Sequence, residues 1–204
     1  MLRKRFFAWF LRKGDGVNHK IYGRIKTKLF QGIFGKVLEI GPGTGVNFEY
    51  LPSEIEWIGI EPNELFWKDL NEKAEIKGIE SEIVKGEGSM IPIPNETIDF
   101  VLVTLVLCSV YDPVQMISEI KRILKPNGKL IFIEHVAAEK GTNLRFFQEL
   151  FNPIERLMAD GCNCNRETWK LLENAGFQSV EISHRKINGL IPFVSPHIVG
   201  FAIK

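Results

Sequence analysis

Val37-Leu-Glu-Ile-Gly-Pro-Gly-Thr-Gly45 is the stretch on which the fold of this 204-residue chain turns. The apolar, branched run from Lys36 to Ile40 has the pattern of a strand covered on both faces. It leads into a loop with glycine at every second position, Gly41, Gly43 and Gly45. Without side chains there, the backbone turns sharply and a ligand lies against bare peptide. Glu39, expected to point off the strand end, places a negative charge beside that loop. A phosphate-binding loop avoids such a charge, whereas a ligand with an ammonium or sulfonium centre is favoured by it.

Outward from that loop, strands and helices alternate. Residues 2–12 and 18–31 read as two helices separated by the breaker Gly14-Asp15-Gly16. Strands are expected at 36–40, 56–60, 79–85, 99–105 and 129–134, and a Lys125-Pro-Asn-Gly128 turn precedes the fifth. Helices are expected from Asn63 to about Lys77 and from Asp112 to Leu124, with Asn63 as an N-cap. Beyond residue 140 a helix over 143–158 is interrupted at Pro153, and another from 165 or 166 to 174 stops at Gly176. Strands at 180–185 and 197–203 close the chain. Five alternations predict an α/β, Rossmann-like open parallel sheet with helices on both faces. Ligands bind such sheets beyond the carboxyl ends of the strands. The glycine loop, Glu61, Glu87, Thr104–Cys108 and Glu134–His135 all fall at such ends.

Composition is that of one globular domain, 45% hydrophobic and 25% charged. Charge is uneven: residues 1–36 hold ten Lys/Arg and one acid, leaving 16 basic and 24 acidic residues elsewhere. The basic front suggests either a membrane-surface contact or a helix docked on its own acidic body. Cys108, Cys162 and Cys164 lack disulfide or zinc-knuckle spacing, so no metal is expected, and a reducing, cytoplasmic compartment is the default. No apolar run approaches the roughly 20 residues of a spanning helix, and no signal peptide is evident.

The spacing E-x-G-x-G-x-G is not cleanly that of a nicotinamide site. Glu61, 16 positions after Gly45, is placed to accept both hydroxyls of a ribose. Glu87-Gly88-Ser89 offers an acid and free N–H groups to an adenine, with Met90 and Ile91 to pack on its face. Together with the strand Asp99–Leu105, these motifs resemble the class I S-adenosylmethionine-dependent methyltransferases over residues 36–135. The resemblance implies a seven-stranded sheet, mostly parallel with the last strand antiparallel. It implies S-adenosyl-L-methionine as cofactor, S-adenosyl-L-homocysteine as product, and a cofactor site of Glu39, Gly41, Gly43, Gly45, Glu61, Pro62, Glu87, Gly88, Ser89, Met90, Thr104 and Leu105. In this single domain over 1–204, residues 36–135 bind cofactor and 140–204 lie on the acceptor side.

Thr104-Leu-Val-Leu-Cys-Ser109, Glu134-His-Val-Ala-Ala-Glu139, Asp160-Gly-Cys-Asn-x-x-Arg-Glu-x-Trp169 and the ending Pro196-His-Ile-x-Gly-x-Ala-x-Lys204 narrow the resemblance. They are similar to the methyltransferase-like family whose animal members methylate alkyl thiols at a membrane. A small, apolar acceptor follows, a thiol first, with a phospholipid amine or a quinone-precursor carbon as rival. A cofactor-binding partner subunit without catalysis is the alternative of another class. His135 is the expected base, titrating near neutrality, and Asp160 the second candidate. Cys108 packs beside the cofactor. Nucleic acid is not an expected partner, because the Thr-Leu-Val-Leu after the fourth strand lacks the amino-directed motif of nucleic-acid enzymes. Phe6, Trp9 and Phe10 in residues 1–31 form either a lid over the cofactor or, through residues 2–13, a peripheral membrane contact.

Overall fold

The structure, a computed structural model, describes residues 2–86, 90–158 and 161–204. Helix α1 (Leu2–Leu29) leads into β1 (Gly35–Ile40), and β2 (Ile55–Ile60), α2 (Trp67–Lys77) and β3 (Glu80–Val84) follow. Then come β4 (Ile98–Thr104), α3 (Pro113–Ile123), β5 (Leu124–His135), α4 (Asn143–Met158), α5 (Thr168–Glu173), β6 (Ser179–Lys186) and β7 (Pro196–Ile203). The sheet order is β3-β2-β1-β4-β5-β7-β6. β1 to β5 pair in parallel, and β7 runs antiparallel to both β5 and β6. The chain moves outward from β1 to β3 and then returns to β4 on the other side of β1. The connections leaving the carboxyl ends of β1 and β4 therefore diverge and open a crevice between them.

Alternation along the strands sorts the core into two layers. Val37, Trp57, Phe100, Leu102 and Ile131 pack on one face with Ala8 of α1 and Leu70 and Ala74 of α2. Leu38, Ile58, Val101, Val103, Leu130 and Phe132 pack on the other with Met116, Ile117, Ile120 and Ile123 of α3. Both faces of β1 and β4 are thus covered, as near-continuous apolar strands require. Helix α3 forms where the sequence places it: the Asp112 carboxylate accepts from the Gln115 N–H at 2.9 Å, and Pro113 occupies the first turn.

Three local expectations are corrected. Helix α1 runs unbroken through Gly14-Asp15-Gly16. Glycine inside a helix costs about 1 kcal/mol relative to alanine, but here the turn is where the helix docks. Asp15 accepts from Thr44 Oγ1 at 2.6 Å and from Lys73 Nζ at 3.0 Å, which ties the turn to the loop after β1. Helix α4 likewise continues through Pro153, which lies exposed, so the carbonyl deprived of its donor is on the wet side. The expected turn at 125–128 is a bulge within β5. Leu124 pairs with Ile98, the ladder resumes at Lys129 opposite Phe100, and Asn127 takes φ 64°. No helix among the described residues is long and apolar enough to cross a membrane.

Candidate active site

The loop after β1 adopts the conformation its glycines permit. Gly41, Gly43 and Gly45 have φ of 62°, 55° and 73°, a left-handed region that side-chain-bearing residues rarely enter. A Cβ at Gly41 would meet Val106 at 3.0 Å, and one at Gly45 would meet Leu70 and Phe48 at 3.0 Å. Leu11 of α1 comes nearest to Gly43, 3.7 Å from the position of an added Cβ, so the N-terminal helix lies over this loop. Arg12 fastens the helix there, donating to Asp69 at 2.8 Å and to the Leu65 carbonyl at 2.6 Å.

Glu61 sits where the sequence places it, at the end of β2, and is 4% exposed. Its carboxylate accepts from the Gly43 N–H at 3.0 Å and the Asn63 N–H at 2.8 Å, joining the loops after β1 and β2. Pro62 beside it is exposed.

Glu39 requires a correction. It does not point off the strand end but into the layer beneath α1, where it accepts from Asn47 Nδ2 at 2.8 Å and Trp57 Nε1 at 3.0 Å. Burial raises its pKa, opposed by those two hydrogen bonds and by the charge of Lys26. Lys26 is itself fully buried and bonded to Asn18 Oδ1 at 2.6 Å. Desolvation lowers its pKa to about 8, with Glu39 and Asp15 pulling the other way. Asn47, which the sequence reading passes over, also donates to Thr104 Oγ1 at 3.2 Å. Its own Oδ1 is buried with no hydrogen-bond partner among the described residues.

The loop after β4 is held from outside. Leu105 takes φ 60°, strained for a residue with a branched side chain. The carboxylate of Glu134, fully buried at the end of β5, accepts from the N–H groups of Val106 and Leu107 at 2.9 Å and of Cys108 at 3.1 Å. Burial nevertheless lifts its pKa to about 7 against those three donors. Arg166 donates to the carbonyls of Leu107 and, at 2.9 Å, Val110. That engagement explains why α5 begins at Thr168 rather than at 165 or 166.

His135 ends β5 beside this loop. Its Nδ1 lies 3.5 Å from Cys162 Sγ, which is 3.6 Å from Cys108 Sγ. Its ring packs edge-on against His197 at 4.5 Å. His197 Nδ1 faces the Ser195 carbonyl at 2.9 Å and must donate, so its Nε2 accepts from the Tyr22 hydroxyl at 2.8 Å. Burial, with His197 adjacent, pushes the pKa of His135 down to about 3, so the expected titration near neutrality is not met. At pH 7 the imidazole is neutral.

The sites expected at Glu87, Gly88, Ser89 and Asp160 lie outside the described residues. Met90 is 79% exposed, while Ile91 is buried in the core rather than offered to a ligand. The structure thus brings Gly41–Gly45, Glu61, Thr104 and Leu105 to one end of the sheet with His135. Asn47, Glu134 and Arg166 were missed as site builders. Glu134 and Arg166 sit within the quoted motifs, but nothing in their spacing says that they brace a loop some 27 and 59 residues away.

Residues 38–132 match the methyltransferase domain family. Human thiol S-methyltransferase TMT1A is 36% identical over 212 aligned positions, covering 98% of this chain and 87% of that protein. Human thiol S-methyltransferase TMT1B is 37% identical, covering 95% of this chain and 80% of that one. Among solved structures, a SAM-dependent methyltransferase from Thermotoga maritima superimposes with a TM-score of 0.68 at 22% identity, covering 98% of this chain and 97% of that one. That last likeness bears on the fold alone.

Proposed function

Because the chain belongs to the class I S-adenosylmethionine-dependent methyltransferases, beside the human thiol S-methyltransferases, we propose that it methylates the sulfur of a small, apolar thiol. It is an enzyme, and S-adenosylmethionine is its cofactor. The described residues fit that group. Left-handed glycines leave bare backbone in the crevice, and the Glu61 carboxylate stands beside it at the end of β2, the residue type that pairs with ribose hydroxyls. The orphaned Asn47 Oδ1 is a buried acceptor suited to an ammonium. When bound, the cofactor supplies a methyl group on a sulfonium centre.

The protein's part is alignment. Holding two reactants in line is worth roughly 7–11 kcal/mol of the barrier. The Glu134 carboxylate fixes the loop after β4, so the wall of the crevice does not yield as reactants enter. On the acceptor side Gln148 fastens α4 to the end of β5, accepting from the Ala138 N–H at 2.6 Å and donating to the Phe193 carbonyl at 2.8 Å. Phe151 of that helix stacks on Phe193 at 5.9 Å, with Phe146, Phe147 and Leu150 exposed nearby, which supports an apolar acceptor. A thiol with a pKa of about 8.5 is already partly ionised at neutral pH. No strong base is needed, consistent with a neutral His135.

The observation that carries the thiol reading is an overall identity of 36–37% in alignments that cover 95–98% of this chain. Radiolabelled methyl transfer to a mixed panel of alkyl thiols, lipid amines and quinone precursors tests it. Label recovered in a thioether is expected; label only in amine or ring-carbon products would overturn the thiol assignment.

A further inference from the structure

Three soft or borderline donors meet at the end of β5, drawn from separate stretches of chain. Cys108 follows β4, His135 closes β5 and Cys162 follows α4. The two sulfurs are 3.6 Å apart, Cys162 Sγ lies 3.5 Å from His135 Nδ1, and the three donor atoms all lie within 4.8 Å of one another. All three cysteines are free thiols, and Cys108 and Cys162 are 1% and 4% exposed. Tetrahedral zinc, with Zn–S of about 2.3 Å and Zn–N of about 2.0–2.1 Å, sets S···S near 3.8 Å and S···N near 3.5 Å. Two of the three edges already have those lengths.

The surroundings hold this arrangement. The Asn163 N–H and Nδ2 both donate to the Cys108 carbonyl, at 2.9 and 3.1 Å, pinning the Cys162 loop to the Cys108 loop. His197, fixed by Tyr22 and Ser195, backs the His135 ring. A groove of about 450 Å³ lined by Pro153, Arg156, Leu157 and Gly161 opens one residue from Cys162.

We propose that Cys108, His135 and Cys162 bind a thiophilic divalent cation, zinc by preference, and that its open fourth position takes the sulfur of the acceptor. Two thiolates and an imidazole select such an ion over magnesium or calcium, which demand oxygen. Three protein ligands with one vacancy is the pattern of a reactive zinc centre, whereas structural sites are closed by four. On metal binding the two thiols release their protons to solvent. The acceptor thiol does the same when it coordinates. Its sulfur then forms the bond to the methyl carbon while the carbon–sulfonium bond breaks, and that electron pair stays on the cofactor sulfur. The neutral thioether is a poorer ligand than a thiolate and leaves. The fourth-position claim rests on the thiol reading above; the three-ligand site does not.

The test uses full-length, reduced, chelator-treated protein titrated with Co²⁺ as a spectroscopic stand-in and Zn²⁺ as competitor. One equivalent of Co²⁺ is expected to bind with thiolate-to-cobalt charge-transfer absorption that Zn²⁺ abolishes. Cys162→Ser and Cys108→Ser should each weaken binding at least about tenfold, while Cys164→Ser retains it; S-adenosylmethionine binding by each variant checks that it has folded. Absence of the charge-transfer band, or its persistence in a folded Cys162→Ser variant, would overturn the site. Adding an alkanethiol, but not the alkanol of equal length, should shift the cobalt d–d bands. An unshifted spectrum, or metal-free protein that methylates thiols at the full rate, would overturn the fourth-position role and leave the thiol assignment standing. A shifted spectrum without any thioether product would overturn the thiol assignment and leave the metal site standing.

Discussion

After β1 the chain turns on Gly41, Gly43 and Gly45, whose left-handed backbone is a local property of glycine. After β4 the chain turns on Leu105, whose equally left-handed backbone is unfavourable by itself and is held by groups elsewhere. Glu134 accepts from three successive N–H groups there, and Arg166 reaches in from the segment just before α5. One wall of the crevice is thus made by residues adjacent in sequence, the other by residues collected from the end of β5 and the stretch after α4. The contrast follows their tasks. A cofactor shared across a fold family suits a wall built from local backbone, whereas the acceptor is what varies from one such enzyme to the next.

Substitutions on the two walls should separate binding from turnover. The largest effect is expected for Glu61→Ala, which removes a buried carboxylate bonded to Gly43 and Asn63. Hydrogen bonds to a charged group contribute about 1.5–3 kcal/mol each, so cofactor affinity should fall at least about tenfold. Isothermal titration with S-adenosylmethionine checks this, and unchanged affinity would remove Glu61 from the cofactor site. On the other wall, Glu134→Gln replaces one acceptor oxygen by an NH₂ facing N–H donors. A stability loss of about 1–3 kcal/mol is expected, with turnover reduced more than cofactor affinity. Equal losses in both would mean that the two walls are not separable.

Acidification probes the second wall further. The folded protein holds His135 near pKa 3 and His197 near 4, below the ~6.5 of an exposed histidine. Below that value the unfolded chain binds more protons, so this part of the stability is intact above about pH 6.5 and is lost as pH falls toward 4. Glu134, raised to about 7, has the opposite sign, weakening the fold as pH rises from about 4.5 to 7. Glu39, also raised by burial, acts in the same sense as Glu134 and offsets part of the acid loss that the two histidines cause. His197→Gln should therefore lose less of its urea midpoint between pH 7 and pH 4.5 than the unaltered protein does. An unaltered pH dependence in that variant would contradict the assignment.

The smallest effect is expected on the outer face of α1. Phe6, Trp9 and Phe10 are 62%, 55% and 59% exposed, while Ala8 and Leu11 face inward over the glycine loop. One helix can thus serve as lid by one side and offer aromatics to a bilayer by the other. Phe6→Ala with Trp9→Ala should change stability by less than about 0.5 kcal/mol and lower flotation with anionic liposomes. No flotation of the unaltered protein would leave the lid role alone.

What could be read from sequence follows the same division. The glycine loop, the Asn63 cap and the two-faced apolar strands are local or periodic signals, and each stands where it was expected. Glu61 followed from its distance behind that loop. Gly14-Asp15-Gly16 misled because the propensity of glycine to end a helix is weaker than the contacts of Asp15 with Thr44 and Lys73. Glu39 misled because a charge near a ligand loop suggests solvent, while Asn47 and Trp57 make a buried seat for it. The Cys108–His135–Cys162 cluster has no sequence signature, since its members are 27 residues apart in each step and meet only when β4, β5 and the segment after α4 are folded together.

The most direct measurement compares kcat/KM for a matched pair, an alkanethiol and the primary amine of the same chain length, under saturating S-adenosylmethionine. The thiol should be preferred by at least about a hundredfold, a difference of roughly 2.7 kcal/mol in transition-state binding. Equal values, or a preference for the amine, would contradict the assignment of this crevice to sulfur.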